Sequence, residues 1–302
     1  MATAQINNTK IFYERTGDGT PIIFLHEFAG DYRSWEIQTR FFARRYAVVT
    51  YNARGYPPSE VPEDPSDYSQ DIAVEDLRGL LDHLQIDRAH IVGFSMGVSA
   101  ALAFGLKYPQ RARSVTIAGT GSGSLRGGDN AAFLRDMEYV IQRFENEGMD
   151  KVSEFYTSGP NRVQFQDKDP RGWQEFNAQF RDGSARGHAN TMRGVQSKRP
   201  SVYELENELK SMTVPLLIMA GDEDRPCLEP GLFLKYTVPS AALTVFPKTG
   251  HNINQEEPDM FNRTLLDFVT QVDGGRWTTR NPASLAESAV LNPAAMEKAD
   301  GR

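Results

Sequence analysis

The stretch Ile91-Val92-Gly93-Phe94-Ser95-Met96-Gly97 decides how this chain is read. Ile91 and Val92 read as buried strand, and the small-residue run Ser99-Ala100-Ala101-Leu102-Ala103-Phe104 reads as a helix ending near Lys107-Tyr108-Pro109. Between them stands a serine with Gly93 and Gly97 two positions to either side. An alcohol at its ordinary pKa is a poor nucleophile and must be presented in the open to a base. A sharp strand-to-helix turn does that, and it crowds the backbone so tightly that its flanks need glycine. The helix N-terminus behind the serine adds partial positive charge and N–H groups where an oxyanion would develop. Ser95 is the candidate nucleophile.

Outward from this turn, short apolar runs recur at Ile22-Ile23-Phe24-Leu25, Tyr46-Ala47-Val48-Val49, Val115-Thr116-Ile117-Ala118, Leu216-Leu217-Ile218-Met219 and Leu243-Thr244-Val245-Phe246. Several are apolar at consecutive positions, as strands are when both faces of a parallel sheet are covered. Helical spacing separates them: Leu77, Leu80, Leu81 and Leu84 fall at i, i+3, i+4 and i+7, and Phe261, Leu265, Leu266 and Val269 repeat the pattern. Strands alternating with such helices imply a doubly wound, mostly parallel sheet. The first strands differ, because Asn7-Asn8 between Gln5-Ile6 and Lys10-Ile11-Phe12-Tyr13 reads as a hairpin turn.

The rhythm stops between residues 122 and 208. There Phe133, Met137, Val140, Ile141 and Phe144 share one helical face and Trp173, Phe176 and Phe180 another, with breaks expected at Asp150, Pro160, Pro170, Gly183 and Pro200. The chain is therefore expected to divide into a first core segment (1–121), a helical cap inserted between two core strands (122–208), a second core segment (209–273) and a polar tail (274–302). Ser284 to Leu291 reads as a short capped helix in that tail.

A base and an acid must come to the serine. Of five histidines, His251 in Lys248-Thr249-Gly250-His251-Asn252 follows a strand and reaches the same sheet edge as Ser95. His83 and His90 read as surface or packing residues, and His188, in the cap, is a weaker candidate for touching substrate. The acid that orients the imidazole comes from Gly221-Asp222-Glu223-Asp224. Asp224 lies far enough round the turn to point back at His251, while Asp222 is better placed to hold the turn itself. Cys227 is a bystander.

The order Ser95, Asp224, His251 resembles that of the α/β-hydrolases. The likeness to the broad esterase, haloperoxidase and C–C hydrolase group runs from Gln5 to Val272, through Leu25-His26, Asn52-Ala53-Arg54-Gly55, Gly93 to Gly97, Gly221 to Asp224, Gly250-His251, and Pro258 with Phe261-Asn262. The resemblance implies an α/β-hydrolase fold and an oxyanion hole made by the backbone N–H groups of Phe28 and Met96. His26-Glu27-Phe28-Ala29-Gly30 departs from the family pattern at Glu27, which replaces a small residue. A carboxylate facing an oxyanion is unfavourable, so Glu27 is expected to point away and pair with an arginine, while His26 props the loop. Dehalogenases and epoxide hydrolases of this fold carry an elbow aspartate, so Ser95 excludes them. Hydrolases of ring-fission products carry Trp after the histidine and Asn before the serine, where this chain has Asn252 and Phe94.

The implied reaction is hydrolysis of a small-molecule carboxylic ester through an acyl-enzyme, with C–C hydrolysis, perhydrolysis and a non-catalytic receptor as alternatives. Phe28, Met96, Phe133, Met137 and Trp173 are candidates for an apolar acyl or aryl pocket. Arg162, Arg171, Arg181, Arg186 and Arg193 in the cap allow an anionic substrate, but a solvated face is the commoner reading of such residues. No cofactor or metal is called for, and a single cysteine excludes a multi-cysteine cluster. With 33 Lys and Arg against 40 Asp and Glu, the formal charge of -7 argues against nucleic acid or an anionic membrane as partner. The N-terminal residues lack a charged region followed by an apolar one, which implies a cytoplasmic setting. A homo-oligomer stays open.

Overall fold

The computed structural model describes residues 2–121, 123–124, 130–285, 290 and 295. The chain opens with β1 (Ala2–Ile6) and β2 (Thr9–Thr16), an antiparallel hairpin. Asn7 and Asn8 turn it with φ of 46° and 62°, a left-handed pair that asparagine tolerates. There follow β3 (Thr20–Leu25), α1 (Glu36–Phe42), β4 (Tyr46–Tyr51), α2 (Gln70–His83), β5 (Ala89–Phe94), α3 (Met96–Lys107) and β6 (Ala112–Ala118). Between β6 and β7 come α4 (Ala131–Tyr156), α5 (Val163–Lys168), α6 (Pro170–Arg181) and α7 (Ala185–Thr191), the helices of the expected cap, and then α8 (Glu206–Lys210), whose Leu209 packs with the sheet. The core resumes with β7 (Leu216–Gly221), α9 (Arg225–Thr237), β8 (Ala241–Phe246), α10 (Ile253–Glu256) and α11 (Pro258–Asp273). One sheet runs in the order β1-β2-β4-β3-β5-β6-β7-β8, parallel from β4 to β8.

Alternate residues of each central strand feed two cores, which explains the consecutive apolar runs. Ile23, Leu25, Ile91, Leu216 and Ile218 pack with Leu77, Leu80 and Phe104 of α2 and α3 on one face. Ile22, Phe24, Val92, Leu217 and Met219 pack with Phe42, Phe261 and Leu265 of α1 and α11 on the other. Both faces are buried, so both side-chain registers must be apolar. His90, on β5, is a packing residue, with its ring nitrogens 2.7 Å from Ser114 Oγ and 3.1 Å from Asp273 Oδ1.

A third core belongs to the cap. Val140, Ile141, Phe144, Phe176, Phe180 and Met192 close around Phe28, after β3, and Met96, at the start of α3. The cap docks backbone to backbone, for a Cβ on Gly187 would stand 1.9 Å from Gly55 O. The break expected at Asp150 falls instead at Gly148, where φ of 79° and ψ of -174° interrupt α4, because positive φ with ψ near 180° is a region that essentially only glycine enters.

The polar end of the chain is held at its start. Trp277 donates to Ser240 O at 2.8 Å and packs edge-on against Phe268, while Arg280 donates to Lys235 O at 2.6 Å. Pro282–Leu285 forms a 3-10 turn, and most of the helix expected from Ser284 to Leu291 lies outside the described residues. Among the described residues no helix is long and apolar enough to cross a membrane.

Candidate active site

β5 ends at Phe94 and α3 begins at Met96, leaving Ser95 alone at the turn with φ of 50° and ψ of -106°. A non-glycine residue held there stores on the order of 1–3 kcal/mol of backbone strain, which the neighbours must impose. The glycines make the turn possible: a Cβ on Gly93 would stand 2.4 Å from Gly97 O, and one on Gly97 would stand 2.5 Å from Leu25 O. Ser95 N–H donates to Ala118 O at 2.9 Å, tying the turn to β6. The N–H groups of Met96, first residue of α3, and of Phe28 donate to no acceptor among the described residues.

His251 Nε2 lies 2.8 Å from Ser95 Oγ, and His251 Nδ1 lies 2.6 Å from Asp224 Oδ2. Both His251 and Asp224 are buried. Burial opposes ionisation of Asp224, but the charge and hydrogen bond of His251, then the Cys227 thiol and Arg162, hold its carboxyl below the usual range. Asp222 serves the turn, though across loops, since its Oδ1 accepts from Thr249 N at 3.1 Å. Asp224, Cys227 and His251 also bring three metal-capable atoms within 4.8 Å of one another. Two donors of one tetrahedral ion, each about 2.0–2.2 Å from it, stand more than about 3 Å apart. Asp224 and His251 are closer than that and bonded directly, so the grouping is built as a hydrogen-bonded chain.

The cap grips both sides of this chain. Arg162 is buried, not part of a solvated face as its composition implied, because its partners lie beneath the cap. Its Nη2 meets Glu27 Oε2 at 2.5 Å and its Nη1 donates to Asn252 Oδ1 at 2.5 Å, while Asn252 Nδ2 donates to Glu27 Oε1 at 2.9 Å. Glu27 precedes Phe28 and Asn252 follows His251, so one guanidinium ties the loop after β3 to the loop after β8. The neighbouring Asn161 C=O accepts from His251 N–H at 2.8 Å. Glu256 completes the histidine loop by accepting from Gly250 N at 2.8 Å and Asn252 N at 3.0 Å. His26 props the loop after β3, with Nδ1 2.7 Å from Glu27 O and Nε2 accepting from Ala53 N at 3.0 Å.

The cavity that holds Ser95 differs from the expected pocket. Its walls are Val98, Leu102 and Val202 with polar Gln70, Thr120 and Arg199. Phe133, Met137 and Trp173 are not among its lining; Trp173 donates to Thr157 O at 2.8 Å, and Met137 packs at the edge of the cap core. Met96 faces a separate, mostly apolar cavity with Leu25, Ala100 and Val195. Phe28 is buried against Phe144, Tyr156 and His188. His188 lies away from the Ser95 cavity, caged by Phe28, Tyr56, Phe144 and Phe180, and burial pushes its imidazole down to about 4. Gln70, Thr120, Arg199 and Asn161 carry no periodicity or motif that marks them in the sequence; only folding brings them to the site.

The chain belongs to the α/β-hydrolase fold family, whose model matches residues 20–258. It is 28% identical to 3-oxoadipate enol-lactonase 1 of Acinetobacter baylyi, over 83% of this chain and 89% of that protein. It is likewise 28% identical to 2-hydroxy-6-oxo-6-phenylhexa-2,4-dienoate hydrolase of Burkholderia cepacia, over 87% of this chain and 92% of that one. The fold matches the crystal structure of the enol-lactonase from Burkholderia xenovorans LB400 with a TM-score of 0.78 at 22% identity, covering 89% of this chain and all (100%) of that one. Family and relatives together support a hydrolase.

Proposed function

We propose that the protein is a serine hydrolase of carboxylic esters or lactones, working through an acyl-enzyme. The observation that carries this reading is the continuous chain Ser95 Oγ, His251, Asp224, with links of 2.8 and 2.6 Å. His251 Nε2 accepts the Ser95 proton as Oγ bonds to the substrate carbonyl carbon, and the carbonyl oxygen takes the negative charge. The Phe28 and Met96 N–H groups stabilise that oxyanion; being backbone, they need no reorganisation. As the carbon–oxygen bond breaks, His251 returns the proton to the leaving alkoxide. It then takes a proton from water, whose oxygen attacks the acyl carbon; as the bond from that carbon to Ser95 Oγ breaks, His251 gives the proton to Oγ, releasing the acid and restoring Ser95. Asp224 holds the imidazole in the tautomer this requires and stabilises its charged form. The enol-lactonase relative supports ester-type chemistry, a lactone being a cyclic ester.

The B. cepacia relative favours a second reading, C–C hydrolysis at the same serine, though Asn252 and Phe94 occupy positions where the resemblance implies Trp and Asn. The test is turnover of p-nitrophenyl acetate and butyrate beside one ring-fission product, by wild type and Ser95→Ala. Loss of the serine is expected to cost roughly 10⁴–10⁶ in kcat on the esters. Equal rates in the two proteins would overturn the serine mechanism, and turnover of the ring-fission product alone would move the reading to C–C bonds.

A further inference from the structure

We infer that Gln70 sets the length of substrate chain the site accepts, as the partition between the cavity at Ser95 and a second apolar chamber behind it. This rests on the serine-hydrolase reading for its chemistry, and on the cavities alone for its chain length. The Ser95 cavity runs along α3 past Val98 and Leu102. The second chamber, walled by Leu25, Met96, Ala100 and Val195, meets the next face of the same helix. An open groove of about 750 Å³ lies outside both, between α2, α3 and α8. Gln70 lines all three spaces, and no other described residue lines both cavities. Its side chain therefore stands where the three come together.

The carboxamide is held at this junction by packing alone. Its Oε1 and Nε2 are both buried, and neither has a hydrogen-bond partner among the described residues. A buried amide left unanswered is unfavourable, and a leucine of similar size would avoid the cost. A side chain that serves only as a wall of the fold is normally apolar or fully bonded. Gln70 is neither, so its place at the junction points to the substrate. The start of α2 does not depend on its side chain, although Gln70 is the first residue of that helix. Ser69 Oγ supplies the cap by accepting from Ile72 N at 3.1 Å. Shortening Gln70 therefore opens the junction without breaking a bond that holds the helix.

Size gives the partition its consequence. Each cavity offers about 40 Å³, and one water needs ~10–15 Å³ of such space, so each takes about three waters or as many methylenes. With Gln70 in place, a chain carried on Ser95 fills its own cavity and stops. With the side chain cut back to Cβ, the chain passes on towards Ala100 and Val195 in the second chamber. Apolar walls make that extension favourable, by about fourfold in affinity for each methylene newly buried.

The test measures kcat/KM on p-nitrophenyl esters from acetate to octanoate and on acetates of alcohols from ethanol to octanol, so the chain is followed on either side of the scissile bond. Wild type is expected to fall off beyond about four carbons in at least one series. In that series Gln70→Ala is expected to raise the ratio of the eight-carbon to the four-carbon substrate by about 15- to 60-fold, two or three methylenes at fourfold each. Gln70→Leu keeps the wall and should keep the wild-type ratio. Adding Ala100→Leu to Gln70→Ala refills the second chamber and should cancel the gain. Gln70→Ser takes the place of the alanine variant if that protein does not fold. Calorimetric titration of octanol against butanol reads the same limit without turnover. Ser95-dependent turnover with ratios that Gln70→Ala leaves unchanged overturns the partition and leaves the serine mechanism standing. Octanol binding gained by Gln70→Ala, in a protein that hydrolyses none of the esters, sustains the partition and sinks the mechanism. A wild type that takes eight-carbon chains as well as four-carbon ones in both series overturns the inference whatever the variants do.

Discussion

Ser95, Asp224 and His251 stand one, three and five residues past the ends of β5, β7 and β8. Arg162 stands on a 3-10 turn of the cap, 135 residues from the Glu27 it pairs with. The two regions therefore depend on folding differently. The strand-end residues are delivered by short turns whose glycines and strand runs are local, so their convergence follows once the sheet forms. The cap latch exists only where two distant segments meet, and its charges are buried on meeting. A buried pair is a weak source of net stability, yet removing one member strands the other's charge. The proposed chemistry is thus concentrated at the strand ends, and the burden of holding their loops in register falls on the cap.

The largest effect should come from the strand-end side. Asp224→Asn keeps the shape but offers His251 the wrong hydrogen-bonding partner, and kcat is expected to fall about 10⁴-fold. The melting temperature should barely move; a variant that unfolds instead would place Asp224 with the latch, as a structural residue.

Arg162→Met should show the reverse profile. Glu27 keeps its buried carboxylate without its cation, at a cost of roughly 3–5 kcal/mol of stability measured by denaturant unfolding. Glu27→Gln in the same chain should recover much of that loss, because the stranded charge is gone. If the double variant is no better than the single one, the pair is not coupled and the contrast between regions fails.

The smallest effect lies in acid. The His188 imidazole is held at about 4 by burial in the aromatic cage, against ~6.5 in an unfolded chain. Below pH ~6.5 the unfolded chain takes up the proton first, so stability is complete above that pH and declines as pH falls towards 4. The loss attributable to His188 is about 3 kcal/mol, with His26 acting in the same direction because burial lowers it too. His188→Phe should flatten the slope of stability against pH between 6.5 and 4. An unchanged slope would remove His188 as its source.

The comparison also explains what was legible in the sequence. The elbow, the strand runs and the Asn7-Asn8 turn are short-range patterns, and each element formed where its residues pointed. Asp224 and Asp222 differ by two positions round one turn, and the distances of 2.6 Å to His251 and 3.1 Å to Thr249 N give each aspartate a separate task. The pocket was not legible. Phe133, Met137 and Trp173 carry the helical period of an apolar face, but period says only that a face is buried, not what covers it. Arg162 and Arg199 look alike in the sequence as cap arginines; one became a buried latch and the other a wall of the Ser95 cavity.

By itself, the sequence determined the sheet, the strand-to-helix turn at Ser95, and the turns that carry Asp224 and His251 after it, because these depend on contacts a few residues apart. Only the tertiary structure decided which cap residues face the serine and which charges are buried together. Those outcomes depend on the docking of the cap on the sheet, where Gly187 meets Gly55 and Arg162 meets Glu27, and such meetings leave no local pattern to read.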